Sequence, residues 1–281
     1  MRCGLVHFPT DYAISTPELA REAEQRGFES LWLAEHSHIP ASRATPFPGG
    51  GELPKMYYGT LDPFVALAAA ATVTTRIKLA TGICLIVQRD PIHTAKEVAS
   101  LDHLSGGRFL FGVGAGWNVE EMANHGTDAR RRFALMRERI EAMKAIWAGS
   151  KAEYHGKQVD FAPIFQWPKP LQKPHPPIHV GGGFPAAAHR AVRYGDGWVP
   201  VYGRGPGLPE QIAAFRKIAA EAGRDANRLE VSIYACPADA AVVEPLRAAG
   251  ADRVCFFVPS APRDEVLPLL DRYQKLARAL G

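Results

Sequence analysis

The feature that most constrains the fold is a regular alternation of short apolar runs with helical segments along the chain. Each run has the length of a strand and precedes a segment with helical periodicity or capping residues. Strands that are short and continuously apolar are typical of a parallel sheet covered on both faces. Eight strand–helix units in 281 residues predict an α/β fold, a (β/α)8 TIM-like barrel. The eight predicted strands span 3–8, 30–34, 77–85, 109–113, 178–180, 198–202, 230–235 and 253–258.

Two longer segments interrupt this alternation. Residues 40–61 follow the second strand and contain three consecutive glycines and the pair Tyr57-Tyr58. Barrel active sites lie at the C-terminal ends of the strands, so this segment is predicted to be a lid loop. Residues 150–177 are rich in proline and are predicted to be a loop insertion after the fourth helix. We therefore expect a single barrel domain over residues 1–281, with this lid and this insertion.

The composition excludes several classes of protein. The net charge is +4 at pH 7, a small surplus that suits an anionic small molecule better than a nucleic acid. The uncharged stretch 63–75 is shorter than the roughly 20 residues that a membrane span needs, so no membrane association is predicted. The four cysteines have no C-x-x-C spacing, and three lie within apolar runs. This pattern predicts buried free thiols in a cytoplasmic protein.

Three consecutive glycines, Gly181, Gly182 and Gly183, follow the fifth strand and precede a helix. Glycines let backbone N–H groups approach a ligand closely, and the start of the following helix favours an anion. The segment therefore predicts a phosphate site, although a tight strand-to-helix turn would use the same residues.

A second glycine pattern, Gly112-x-Gly114-x-Gly116, ends the fourth strand and precedes Trp117 and Asn118. It lacks the acidic residue of a dinucleotide-binding fingerprint, so it is a weak signal for a Rossmann fold. The alternative is that these glycines clear space for a flat ring at the mouth of the barrel.

The sequence Glu35-His36-Ser37-His38 follows the second strand and supplies the candidate catalytic residues Glu35 and His36. A neutral imidazole can donate or accept a proton near pH 7. An H-x-H motif at a strand end also occurs in metal-dependent barrel hydrolases. Those sites need further ligands from later strands, and only His179 is suitably placed, so no metal site is predicted.

Long segments in a fixed order make the chain recognisable. It resembles the bacterial luciferase-like superfamily of flavin and deazaflavin oxidoreductases, and within it the group that depends on coenzyme F420. The resemblance implies a TIM-like barrel with an insertion after its fourth helix, a homodimer, and an isoalloxazine-type ring at the C-terminal mouth. The segments that carry it are LWLAEHSHIP (31–40), DPFVALAAAATVTTRIKLATGI (62–83), DPIHTAKEVASLDHLSGGRFLFGVGAGWN (90–118), PKPLQKPHPPIHVGGG (168–183) and GDGWVP (195–200).

Specific residues carry expectations over from this resemblance. The glycines at 181–183 match the segment that holds the cofactor phosphate, and Gly82-Ile83 matches a position where the family often has a non-proline cis peptide beneath the ring. His36 matches an active-site histidine, and Glu35 stands where an aspartate is common. Trp117 favours an apolar or aromatic substrate. The sequence does not choose among His36, Glu120 and Glu121 as the proton donor.

The resemblance thus implies hydride transfer between reduced coenzyme F420 and a small organic substrate. The expected cofactor-binding residues are Gly82, Ile83, Gly114, Trp117, Asn118, Gly181, Gly182 and Gly183. Two alternatives stay open: a monooxygenase that uses reduced FMN, and a non-catalytic flavin-binding protein. The physiological substrate and the direction of the redox reaction are not encoded in any pattern of this sequence.

Overall fold

The computed structural model describes residues 1–205 and 207–280. The strands in these residues are β1 (Arg2–His7), β2 (Ser30–Leu33), β3 (Lys78–Thr81), β4 (Cys84–Leu85), β5 (Phe109–Gly114), β6 (Lys151–His155), β7 (Asp160–Phe165), β8 (Ile178–Gly181), β9 (Gly197–Val199), β10 (Glu230–Cys236) and β11 (Arg253–Val258). The α-helices are α1 (Thr16–Gln25), α2 (Pro63–Ala71), α3 (Pro91–Leu104), α4 (Val119–Asn124), α5 (Arg132–Ala148), α6 (Ala186–Tyr194), α7 (Leu208–Glu221), α8 (Ala240–Ala248) and α9 (Arg263–Leu280).

Eight parallel strands close into a barrel, which confirms the predicted fold. Around the barrel the order is β1, β2, β3, β5, β8, β9, β10 and β11, and β11 pairs with β1. The pairing of β3 with β5 completes the circle. Both faces of most strands are buried, as the continuous apolar runs predicted. All active-site loops described below therefore lie at the C-terminal ends of these strands.

The insertion differs from the predicted loop. Its first half forms an antiparallel hairpin of β6 and β7, which packs against α5. The hairpin forms because Ala152 and Tyr154 alternate with exposed residues, while Phe161 and Ile164 reach the core from the other strand. The second half lies at the N-terminal rim, where the Gln172 amide donates to Phe109 O. The second half of the insertion is therefore on the side opposite the C-terminal mouth, while the hairpin lies along α5.

Two further details depart from the sequence pattern. The third predicted strand, 77–85, is divided into β3 and β4 by a cis peptide bond between Gly82 and Ile83. This confirms the cis bond that the resemblance implied. The short helix α4 was not predicted. It begins because the Asn118 side chain accepts a hydrogen bond from the backbone N–H of Glu121, 3.0 Å away.

An ionic network fills the barrel interior near the N-terminal ends of the strands. Arg253 is fully buried and donates to both oxygens of Glu29, at 2.7 and 2.8 Å. It also bonds to Glu230 at 3.0 Å and to the Ser232 hydroxyl at 2.7 Å. Arg2, the first residue of β1, also donates to Glu230, at 2.6 Å. The charge of Arg253 is thus matched by two carboxylates within the barrel.

The cysteines are free and buried, as the spacing predicted. Among residues 1–205 and 207–280, no helix combines the length and the apolar character that crossing a membrane requires.

Candidate active site

A cavity of about 270 Å³ opens at the C-terminal mouth of the barrel. Its walls come from the ends of most strands, from the lid and from the starts of α5 and α6. The lining is largely apolar, with a few charged groups, which is the usual character of a small-molecule site. The lining residues are Phe8, Ala34, Glu35, His36, Tyr57, Gly82, Ile83, Leu85, Ala115, Gly116, Trp117, Phe133, Gly181, Gly182, Gly183, Arg190, Val199, Val201, Arg204 and Tyr234.

Ile83 forms one wall of the cavity, and two glycines make room for its side chain. A Cβ on Gly114 would lie 1.9 Å from Cδ1 of Ile83, and a Cβ on Gly181 would lie 2.8 Å from the same atom. Gly82 is constrained too, because a Cβ there would lie 2.9 Å from Cβ of Trp32. Gly114 therefore does not line the cavity; it holds Ile83 in position.

His36 is buried at the end of β2 and is oriented by a carboxylate. Its Nδ1 lies 2.8 Å from Oε2 of Glu121, which is fully buried. Because a carboxylate accepts and does not donate, Nδ1 carries the proton of this hydrogen bond. The other oxygen of Glu121 accepts from the Ser37 backbone N–H at 3.2 Å. Asn118 does not line the cavity; it fixes the turn of α4 that presents Glu121.

Glu35 faces a different partner. Its carboxylate accepts from the backbone N–H of Leu85 at 2.5 Å and from Nε of Arg89 at 2.6 Å. Arg89 also pairs with Asp62 and with Glu97. Both oxygens of Glu35 are thus occupied, and the residue ties the end of β2 to the segment that follows Ile83.

Aromatic side chains surround the imidazole of His36. The ring centroids of Tyr57 and Trp117 lie 5.2 and 5.9 Å from that of His36. Phe47 contacts both of these aromatic rings, and Phe8 lies 4.7 Å from Tyr57. Burial raises the pKa of Tyr57 above its usual value. Tyr57 and Phe47 belong to residues 40–61, so this segment covers the cavity as a lid would.

Two hydrogen bonds join the lid to α4. The Thr45 backbone N–H donates to Oε1 of Glu120 at 3.0 Å, and the Val119 N–H donates to the Thr45 hydroxyl at 3.3 Å. Glu120 therefore engages the lid, whereas Glu121 engages His36.

The glycine segment after β8, residues 181–183, forms another wall of the cavity. Gly182 has a φ of +131°, a conformation that side chains rarely adopt, and a Cβ there would lie 3.6 Å from a guanidinium nitrogen of Arg190. A Cβ on Gly183 would meet nothing within 4 Å. Nε of Arg190 is buried and has no hydrogen-bond partner within the described residues. An orphaned cationic donor beside exposed backbone fits an anionic group of a ligand.

Residues 9–277 match the family model of the luciferase-like monooxygenases. The chain belongs to the luciferase-like monooxygenase family. It is 40% identical to an uncharacterised protein of Mycobacterium tuberculosis over 276 residues, which cover 97% of each chain. It is 27% identical to the F420-dependent glucose-6-phosphate dehydrogenase of Kineococcus radiotolerans, over 77% of this chain and 61% of that protein. A monooxygenase of Streptomyces bottropensis has a similar structure, with a TM-score of 0.78, 23% identity, and coverage of 100% of this chain and 99% of that one.

This luciferase-like barrel brings most of the predicted site residues into one cavity: Glu35, His36, Gly82, Ile83, Trp117, Gly181, Gly182 and Gly183. Gly114 and Asn118 lie behind it. Four residues that no sequence pattern singled out as site residues also line the cavity: Arg190, Tyr234, Phe8 and Phe133. Of these, only Arg190 had a local signal, because it lies two helical turns after the glycine segment.

Proposed function

We propose that this luciferase-like protein is an oxidoreductase that transfers a hydride between coenzyme F420 and a small apolar or aromatic substrate. The observation that carries the proposal is the shared cavity: an unpaired arginine beside the glycine segment, the Gly82-Ile83 wall and His36, which Glu121 holds from behind, all line one space. The similarity to an F420-dependent dehydrogenase supports the choice of cofactor. Cofactor, substrate and catalytic roles are all part of this proposal.

The residues that line the cavity fit both the phosphate end and the ring end of such a cofactor. In the segment Gly181 to Gly183, the Gly182 N–H donates to Val199 O at 3.2 Å, so Gly183 would offer the backbone N–H and Arg190 a guanidinium, and this end would hold the phosphate. Ile83, supported by Gly114, would pack against the ring, and Trp117 would lie at its edge. When bound, F420 supplies a two-electron carrier at a ring carbon, and the protein provides orientation and protons.

His36 is the candidate for proton transfer. Glu121 holds the proton on Nδ1, so Nε2 is left as the atom that exchanges a proton with the substrate. Glu35 would act as a positioning residue, since its two oxygens are engaged by Leu85 and Arg89. Glu121 is thereby distinguished from Glu120 as the carboxylate that acts through His36.

The aromatic lining supports the substrate class. Tyr57 and Trp117 contact the His36 ring and Phe47 contacts both of them, so these rings offer faces and edges for stacking. A substrate with a small apolar or aromatic body would exclude water from the imidazole. A sugar phosphate would need polar partners that this part of the lining does not supply.

The family resemblance and the buried free cysteines support two further properties, a homodimer and a cytoplasmic location. Light scattering of the purified protein measures the first directly.

Side-by-side fluorescence titrations of the purified protein with coenzyme F420 and with FMN test the proposal. We expect micromolar or tighter binding of F420 and clearly weaker binding of FMN. Preference for FMN would replace the proposal with reduced-flavin oxygen chemistry. Binding of neither would leave the fold in place and overturn the function.

Replacement of His36 separates an enzyme from a non-catalytic binder. His36→Ala should retain F420 binding and lose most of the oxidation of reduced F420 by an acceptor found in a screen of reducible small molecules. His38→Ala is the matched control, because His38 is outside the cavity lining. Undiminished turnover in His36→Ala would remove this residue from the mechanism.

A further inference from the structure

Two arginines near the glycine segment have no acidic partner. Across residues 1–205 and 207–280, no carboxylate oxygen lies within 4.0 Å of the guanidinium nitrogens of Arg132 or Arg190. Nε of each is buried without a hydrogen-bond partner. The one hydrogen bond of either side chain in these residues joins Arg132 Nη1 to Ala129 O, at 2.6 Å. Most other half-buried arginines in this protein bond to carboxylates or to several carbonyls.

A phenylalanine brings the two cations together. The guanidinium carbon of Arg190 lies 4.0 Å from the centroid of the Phe133 ring, and that of Arg132 lies 4.6 Å from it. The distance between the two guanidinium carbons therefore cannot exceed the sum of these two distances. Phe133 and Arg190 line the cavity. Cation–π contacts stabilise each arginine weakly, but they do not neutralise the charge.

The proximity is electrostatically unfavourable in the protein alone. Burial lowers the pKa of Arg190, and the positive charge of Arg132 lowers it further. Like charges held together without a counter-ion are expected where a ligand supplies the opposite charge. One phosphate at the glycine segment would engage Arg190. Arg132 also contacts Phe133 and has no carboxylate partner among the described residues, so a second anion would supply its counter-charge.

We infer that Arg132, Phe133 and Arg190 form a subsite for a second anionic group, carried by the cofactor tail beyond its phosphate. This inference rests on the proposed function. It favours a cofactor whose tail bears carboxylates after the phosphate, as the glutamate tail of F420 does, over one that ends at a single phosphate, as FMN does. The subsite thus selects the cofactor by its tail, independently of its ring.

Fluorescence titrations with two forms of the same deazaflavin test the inference: intact F420, and the compound shortened to end at its phosphate. Arg132→Gln should weaken binding of intact F420 about tenfold, because a charge-assisted contact is lost. It should leave the affinity for the shortened form within about twofold. Arg190→Gln should weaken binding of both forms. Arg130→Gln is the matched control, because Arg130 is exposed and pairs with Asp128.

The outcomes separate the subsite from the proposed function. If wild type binds both forms equally well, the F420 proposal stands and the second anion subsite is wrong. An equal loss of affinity for both forms in Arg132→Gln would also contradict the subsite, since the arginine would then serve only the phosphate. If wild type binds neither form, the proposed function itself fails.

Discussion

Arg253 at the N-terminal end of the barrel and the pair Arg132 and Arg190 at the C-terminal end have opposite surroundings. At the N-terminal end, Arg253 is fully enclosed and bonded to Glu29, Glu230 and the Ser232 hydroxyl. At the C-terminal end, Arg132 and Arg190 lie close together and lack a carboxylate among the described residues. Arg253 thus has carboxylate partners within the fold, whereas Arg132 and Arg190 have none among the described residues.

This difference in pairing predicts which arginines stabilise the fold and which bind a ligand. A buried charge is tolerated when its partners are built into the fold, and removing one partner is then costly. An unpaired charge lowers the stability of the empty protein and becomes favourable when a ligand supplies the counter-charge. We therefore expect substitutions at the N-terminal end to affect unfolding, and those at the C-terminal end to affect ligand affinity.

The largest effect should come from Arg253→Met. It leaves Glu29 and Glu230 inside the barrel without their main counter-charge, so the free energy of unfolding should fall by about 3 to 5 kcal/mol. Urea denaturation measures this change, with Arg130→Met as an exposed control. A loss below about 1 kcal/mol would show that Arg2, which bonds to Glu230, and Lys78, which lies 3.2 Å from Glu29, can replace Arg253 as counter-charges.

The next effect is a loss of stability in acid. Burial lowers the pKa of His179 and of His7 to about 4, from an ordinary value of 6.5. The unfolded chain therefore takes up protons at a higher pH than the folded chain. The contribution of these two histidines to stability should be constant above about pH 6.5 and be lost between pH 6.5 and 4, by roughly 3 kcal/mol for each histidine.

His179→Phe should reduce this pH dependence by about half, because His7 remains. Urea denaturation at a series of pH values from 7 to 4.5 gives the slope. His189→Phe, at an exposed position, is the control and should leave the slope unchanged. An unaltered slope in His179→Phe would assign the acid sensitivity to other groups.

At the C-terminal end, Gly182→Asp should weaken cofactor binding about a hundredfold, by about 2.7 kcal/mol. The side chain would occupy the place beside Arg190 and carry the same sign of charge as the cofactor phosphate. Gly250→Asp is a matched control, because Gly250 also has a positive φ, +90°, but lies outside the cavity lining. Equal affinity in wild type and Gly182→Asp would place the phosphate elsewhere.

The smallest effect should come from Glu121→Gln. The amide keeps an acceptor for His36 but removes the negative charge beside it, so kcat should fall about tenfold with little change in KM. Turnover of reduced F420 with a screened acceptor measures the effect. Glu120→Gln is the control, since the amide can still accept from Thr45. A matching loss in both variants would assign the effect to the lid and not to His36.

Strand–helix alternation was sufficient to predict the barrel, because each apolar run is buried on both faces. The positions of the glycine motifs and of the Glu35–His36 pair could also be predicted, because they follow parallel strands whose C-terminal ends meet at one face of the barrel. The hairpin in the insertion was missed because prolines obscured a short alternating pattern. The α4 helix was missed because its signal, Asn118 followed by Glu121, is only one turn long.

The partners of individual charges could not be predicted from the sequence. Glu35 and Glu121 look alike as carboxylates near His36, and only the fold directs one to Arg89 and the other to the imidazole. Arg190 and Arg253 likewise occupy ordinary positions in a helix and a strand. Whether an arginine is paired depends on contacts between distant segments, such as the 224 residues that separate Arg253 from Glu29.

Thermal unfolding with and without coenzyme F420, for wild type, Arg190→Gln and Arg253→Met, tests the central claim most directly. A ligand that binds only the folded protein stabilises it by RT ln(1 + [L]/Kd), so at a fixed ligand concentration tighter binding gives a larger increase in Tm. We predict a lower Tm but an undiminished F420-induced increase for Arg253→Met, and an almost absent increase for Arg190→Gln. An F420-induced increase in Arg190→Gln equal to that of wild type would contradict the assignment of the unpaired arginine to the cofactor.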